Sequence, residues 1–193
     1  MPTLYFDFNS PYAYLAAARI EDMIPGTGWK PIAFPVMLYE LGRLEAAMAR
    51  DPAPVVAEVS RRAADRGLPP FNPPQAWPLH AWSLAPLRAA LVAGDSGRMR
   101  EFCGAAFNAM FVEGRSLAEP DTVRDVARAA GLDPADVEQG IQRPEIKERL
   151  KDNTNAALAW GVTGIPTVAI GHVLFWGDDR LEEAAAAAGR AES

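Results

Sequence analysis

The chain has 193 residues, 49% of them hydrophobic and 23% charged, with a formal net charge of -6 and a pI of about 5.0. That is ordinary composition for one sizeable domain or a domain with a large insertion. Its acidity, with no Lys/Arg cluster to offset it, argues against nucleic acid or an anionic membrane as partner. A single cysteine, Cys103, forms no internal disulfide and leaves no Cys-x-x-Cys pair; with only His80 and His172 beside it, a zinc site with the usual ligands is not expected.

Leu4, Phe6 and Phe8 alternate with Tyr5 and Asp7, which predicts a strand over 3–8. It runs into Ser10-Pro11, a helix start: Ser can cap, and Pro at the first helical position lacks an N–H that would be unpaired there anyway. The helix is predicted over 11–24, ending at Pro25-Gly26. Trp29 to Val36 is apolar but carries Pro31 and Pro35, so it reads as an edge strand or the first half of one. From Met37 to Leu158 the pattern is helical. Leu38 to Ala49, Leu79 to Leu91 and Met99 to Phe111 read as helices, Gly67 to Pro78 as a proline-rich loop, and Asp133-Pro134 and Arg143-Pro144 as helix starts. The last of these helices should run to Trp160 and stop at Gly161. Thr167–Ile170 and Val173–Trp176 around Gly171-His172 form a predicted hairpin, and Asp179 with Glu182 has capping-box spacing for a final Ala-rich helix.

No apolar run approaches the roughly 20 residues that span a bilayer. Met1 to Ser10 lacks the basic flank and apolar stretch of a secretory leader. A cytoplasmic location is the expectation.

Strand, helix, strand, a long helical stretch, then strand, strand, helix is the order of an α/β thioredoxin-like fold interrupted by a large all-helical insertion. The thioredoxin-like domain is assigned to 1–36 and 159–193, the insertion to 37–158. Such a core sets a helix N-terminus beside the loop before its third strand, where Pro166 is the candidate cis-proline. Ser10 then lies where unpaired N–H groups and the positive end of a helix dipole converge, a place to stabilise a thiolate. Taken alone, Ser10-Pro11 suits a plain cap better than a catalytic centre, and Asp178 and Asp179 each suit a cap for the last helix as well as a ligand contact.

Three motifs carry a family resemblance: Phe6-Asp7-Phe8-Asn9-Ser10-Pro11-Tyr12, Gly161-Val162-Thr163-Gly164-Ile165-Pro166-Thr167, and Leu174-Phe175-Trp176-Gly177-Asp178-Asp179-Arg180-Leu181. In this order and spacing, across nearly the whole chain, they resemble the 2-hydroxychromene-2-carboxylate isomerases. That family is related to the kappa-class glutathione transferases and, more distantly, to DsbA-type oxidoreductases. The resemblance implies that Ser10 stands where DsbA relatives have a reactive cysteine and contacts the sulfur of bound glutathione as the catalytic residue. It implies that Ile165 exchanges backbone hydrogen bonds with the cysteinyl unit. Trp176, Gly177, Asp178 and Asp179 would form the γ-glutamyl pocket, with a carboxylate toward the ammonium and helix N–H groups toward the carboxylate.

The implied activity is glutathione-dependent interconversion of 2-hydroxychromene-2-carboxylate, or a similar aromatic ring-cleavage intermediate, with open-chain trans-o-hydroxybenzylidenepyruvate. Reversible thiolate addition would do this, as a step of naphthalene-type catabolism by a homodimer acting on a small aromatic substrate. The alternatives are a kappa-like transferase that consumes glutathione and a non-redox DsbA-like binding module. Phe71, Trp77 and Trp82 are aromatic candidates for the substrate slot. The Lys and Asn that family members direct at substrate have no counterpart here: Met37–Arg62 contains no Lys, leaving Arg43 as the nearest basic residue, and Trp82-Ser83 precedes Leu84-Ala85-Pro86-Leu87-Arg88 where Asn-Thr is expected.

Overall fold

The structure, a computed structural model, describes residues 1–78 and 83–191. Four short strands make one mixed sheet in the order β2-β1-β3-β4. β1 (Thr3–Phe6) pairs parallel with β2 (Gly28–Pro31) and antiparallel with β3 (Thr167–Ile170), which pairs antiparallel with β4 (Val173–Trp176). Register follows the side-chain alternation: Leu4 faces Val168 across the β1–β3 ladder. Leu4 and Phe6 enter one apolar core and Tyr5 the other, as the two-residue period of a strand requires.

Between β1 and β2 lie α1 (Pro11–Ala17) and α2 (Ile20–Met23). The single helix expected over 11–24 is thus two, separated at Ala18-Arg19, and the strand expected over 3–8 ends at Phe6. Between β2 and β3 the helices are α3 (Phe34–Glu40), α4 (Leu44–Met48), α5 (Ala53–Asp65), α6 (Leu84–Asp95), α7 (Met99–Phe111), α8 (Pro120–Ala129), α9 (Pro134–Gly140) and α10 (Pro144–Ala159). A 3-10 turn at Asp178–Arg180 leads into α11 (Leu181–Ala191).

Three departures from the sequence reading have clear causes. The strand expected through Val36 stops at Pro31, and Pro35 falls in the first turn of α3, where a missing N–H costs nothing. Gly42, at φ 65°, breaks the helix expected over 38–49: Arg43 N–H turns back to the Leu38 carbonyl at 2.8 Å, a left-handed helix stop. The Asp179–Glu182 capping box does not form. Gly177 takes the cap position with no side-chain bond, and Glu182 pairs with Arg19 instead. The start of the helix expected at Leu79 lies outside the described residues, as do Trp82 and His80.

The larger core joins the sheet to the helices. Phe6 and Phe8 pack edge-on at 5.5 Å, Phe8 reaches Phe107 at 5.1 Å, and Phe107 stacks with Phe111 of α7. Rings offset or edge-to-face in this way add to what their buried area contributes. Cys103 is wholly buried in this core. Among the described residues no helix is long and apolar enough to cross a membrane.

Candidate functional site

Ser10 caps α1: its backbone is extended, its Oγ accepts a hydrogen bond from Ala13 N–H at 3.2 Å, and Pro11 occupies the first helical position. That bond uses a lone pair of the hydroxyl. The hydroxyl proton stays available to a second acceptor, and with 9% exposure it is close to buried. The Ile165-Pro166 peptide is cis, as expected from the sequence. Ile165 lies just outside β3, and its backbone N–H and C=O have no partner among the described residues.

Ser10, Ile165, Trp176, Gly177, Asp178 and Asp179 all line one cleft of about 840 Å³. The structure therefore brings together the six residues that the resemblance assigns to glutathione, although Trp176 is separated from Ser10 by most of the chain. Trp176 is 55% exposed. Its indole lies against the backbone of Gly164, where any Cβ would collide with it. Gly177, at φ 114°, turns the chain from β4 into the 3-10 turn, and its N–H donates to the Pro166 carbonyl at 2.9 Å. One hydrogen bond thus ties the cis-proline loop to the Asp178-Asp179 segment.

Asp178 is 1% exposed and does not cap a helix. Its Oδ1 receives Arg62 Nη1 at 2.6 Å and its Oδ2 receives Arg66 Nη1. Arg62 also bonds Glu58 at 2.5 Å, and Tyr12 donates its hydroxyl to the other Glu58 oxygen at 2.7 Å. The Arg62 guanidinium lies 5.6 Å over the Tyr12 ring. Burial pushes the Tyr12 phenol up to about 12, with the Glu58 hydrogen bond and charge adding to it. The Tyr12 hydroxyl in turn leads the effects that hold the Glu58 carboxyl below its usual range. Asp179, with its side chain 61% exposed and Arg62 only at 3.8 Å, is the freer carboxylate of the pair.

These partners were not read from the sequence. Arg62, Arg66 and Glu58 sit on or just after α5, a helix left unassigned above, although Val55, Val59 and Ala63 at helical spacing with Glu58 and Arg62 four apart carried the signal.

The remaining lining is mostly apolar, including Phe34, Val36, Leu44, Met48 and Val55. Trp77 lines it too and donates its indole N–H to the Asn9 carbonyl at 3.1 Å. Phe71 does not: it stacks on Phe111 at 5.4 Å, within the aromatic core. Trp82 lies outside the described residues. Arg43 lines the cleft, but its Nη1 is bonded to the Thr163 carbonyl at 3.0 Å. His172, in the turn between β3 and β4, stacks on Trp160 at 5.4 Å.

A family model described as a DSBA-like thioredoxin domain matches residues 3–188. A 2-hydroxychromene-2-carboxylate isomerase of Sphingobium xenophagum is 27% identical over 186 residues, covering 92% of this chain and 92% of its own. One of Pseudomonas putida is 26% identical over 192 residues, covering 96% and 93%. A solved 2-hydroxychromene-2-carboxylate isomerase superposes with a TM-score of 0.85 at 22% identity, covering 98% of this chain and 95% of the other.

Proposed function

The chain belongs to the DSBA-like thioredoxin-domain family, and we propose that within it this protein is a glutathione-dependent isomerase of 2-hydroxychromene-2-carboxylate type. The observation that carries the reading is the single cleft that joins the Ser10 hydroxyl, the unpaired backbone of Ile165 beside a cis-proline, and an apolar wall. Relatives at 27% and 26% identity, named for that isomerase and matched over nearly their full length, support it.

The residues suit a bound tripeptide thiol. The Ile165 N–H and C=O, without partners among the described residues, offer the paired bonds by which an extended peptide adds to a strand edge. Asp179 offers a carboxylate to an ammonium, while Asp178, already held by two arginines, acts chiefly by fixing the Gly177–Asp179 turn. Ser10 offers a hydroxyl proton at the start of α1, which favours the charged form of a neighbouring sulfur. Glutathione would supply the thiolate that adds reversibly to a conjugated double bond and is released unchanged. The chain itself supplies orientation, a hydrogen-bond donor for the sulfur, and an apolar slot for a small aromatic substrate.

A cytoplasmic homodimer completes the reading.

The test is titration of glutathione into wild type and Ser10→Ala, following thiolate absorbance against pH and glutathione recovery during turnover. We expect binding in both proteins, a higher thiol pKa in the variant, and full recovery of glutathione. Equal pKa values remove Ser10 from the chemistry. Consumption of glutathione favours the transferase reading, and failure of wild type to bind it favours a binding module.

A further inference from the structure

We propose that Asp7 is a positioning residue that sets the spacing between two parts of the cleft lining, the Asn9-Ser10 loop and α3. It follows β1 directly and is fully buried. Its Oδ1 accepts the Asn9 N–H at 2.9 Å and its Oδ2 accepts the Phe34 N–H at 2.9 Å. The Asp7 carbonyl accepts the Ser10 N–H at 3.1 Å, so the same residue holds the loop through main chain and side chain.

Phe34 is the first residue of α3, a helix with no local side-chain cap. Helix starts leave unpaired N–H groups; here one is served by a carboxylate 27 residues earlier in the chain. The neighbouring Ala33 N–H goes to Thr154 at 3.0 Å. Held in this way, α3 presents Phe34, Val36, Leu38 and Tyr39 to the cleft, while Asn9 and Ser10 line it from the other segment.

Only a carboxylate can serve both donors. An asparagine offers one oxygen and turns an NH₂ toward the second N–H, leaving that buried group unpaired. The third group on the carboxyl is the Ser83 side chain, and no charged side chain among the described residues is bonded to it. Desolvation raises the Asp7 carboxyl while these three hydrogen bonds pull it back, and the ionised form is the one that accepts from all of them.

The experiment compares wild type, Asp7→Asn and Ser83→Ala by amide hydrogen exchange and by calorimetric titration of glutathione, the latter arm resting on the function proposed above. In Asp7→Asn, exchange at Asn9 and Phe34 should quicken by about tenfold or more, Val168 in the sheet should stay as protected as before, and the glutathione Kd should rise about tenfold. Ser83→Ala keeps both amide bonds and should change exchange at Asn9 and Phe34 by less than about twofold. Unchanged protection at Asn9 and Phe34 in Asp7→Asn overturns the inference, as does an equal loss at Val168. If Asp7→Asn does not fold, the wild-type Asp7 carboxyl is titrated by NMR: the Asn9 and Phe34 amide signals must move with it, and a titration that leaves both in place overturns the inference. If wild type binds no glutathione, the proposed function falls and amide exchange still decides the role of Asp7.

Discussion

Replacing Asp178 with Asn removes a buried charge on which two arginines converge. Asp178 is 1% exposed and Arg62 and Arg66 are 19% and 20% exposed, so the pairs lie largely out of water. Removing one member of a buried ion pair costs about 3–5 kcal/mol because the partner is left uncompensated. Two features reduce that here. Arg62 keeps Glu58 at 2.5 Å, and both guanidinium groups retain some contact with water. A loss of about 2–3 kcal/mol is therefore expected. For a chain of this size that lowers Tm by about 4–12 °C. The same loss should appear as a lower urea midpoint at unchanged slope.

The informative arm is a double-mutant cycle with Arg66→Met, which keeps the aliphatic stem and removes the charge. Arg66 pairs with Asp178 through Oδ2, so the two losses should not add, and the coupling should be on the order of 1 kcal/mol or more. Additive losses, or an Asp178→Asn loss below about 0.5 kcal/mol, would refute the view that this ion cluster holds the Gly177–Asp179 turn against α5.

Two further outcomes follow from the same region. The Tyr12 phenol is pushed up to about 12, against about 10 in an unfolded chain. Its contribution to stability is complete below pH of about 10 and is lost as pH rises toward about 12, because the unfolded phenol gives up its proton first. The urea midpoint of wild type should fall more steeply across that window than that of Tyr12→Phe, and equal slopes would sink the assignment. Gly164→Ala sets a methyl where the Trp176 indole now rests; it should shift tryptophan emission in wild type and leave emission unchanged in a Trp176→Phe background.

The parts of this fold that were legible in the sequence are those whose causes are local. Ser10-Pro11 declares a helix start in two residues. Thr167–Trp176 forms a hairpin around Gly171, at φ 57°, with alternating partners four residues either side. The candidate site residues also came from short motifs, and they meet in the cleft as expected. What was not legible depends on distant partners. Pro35 suits an edge strand or a first helical turn equally well, and the turn seen here has its Phe34 N–H donated to Asp7, far back in the chain. Asp178 looks like a cap until Arg62 and Arg66, more than a hundred residues earlier, take both of its oxygens. Phe71 has the chemistry for a substrate slot, but the ring of Phe111 takes it into the core.

The placement of thiol chemistry separates this protein from a dithiol oxidoreductase built on the same frame. Its single thiol, Cys103, sits on α7 in the aromatic core, where burial pushes its pKa well above the usual thiol range and keeps it from acting as a nucleophile. The position at the start of α1 that would activate a sulfur holds a hydroxyl instead. A hydroxyl there cannot exchange disulfides; on the function proposed above it would offer a proton to the sulfur that arrives with a ligand. On the same proposal, the helix N-terminus and the cis-proline edge would receive an extended, sulfur-bearing peptide, and the apolar wall from α3 to α5 would decide what that sulfur meets. In such an arrangement, substitutions along Val36, Met48 and Val55 should alter substrate choice while leaving thiol ionisation at Ser10 untouched, because the two are built from separate segments of the same cleft.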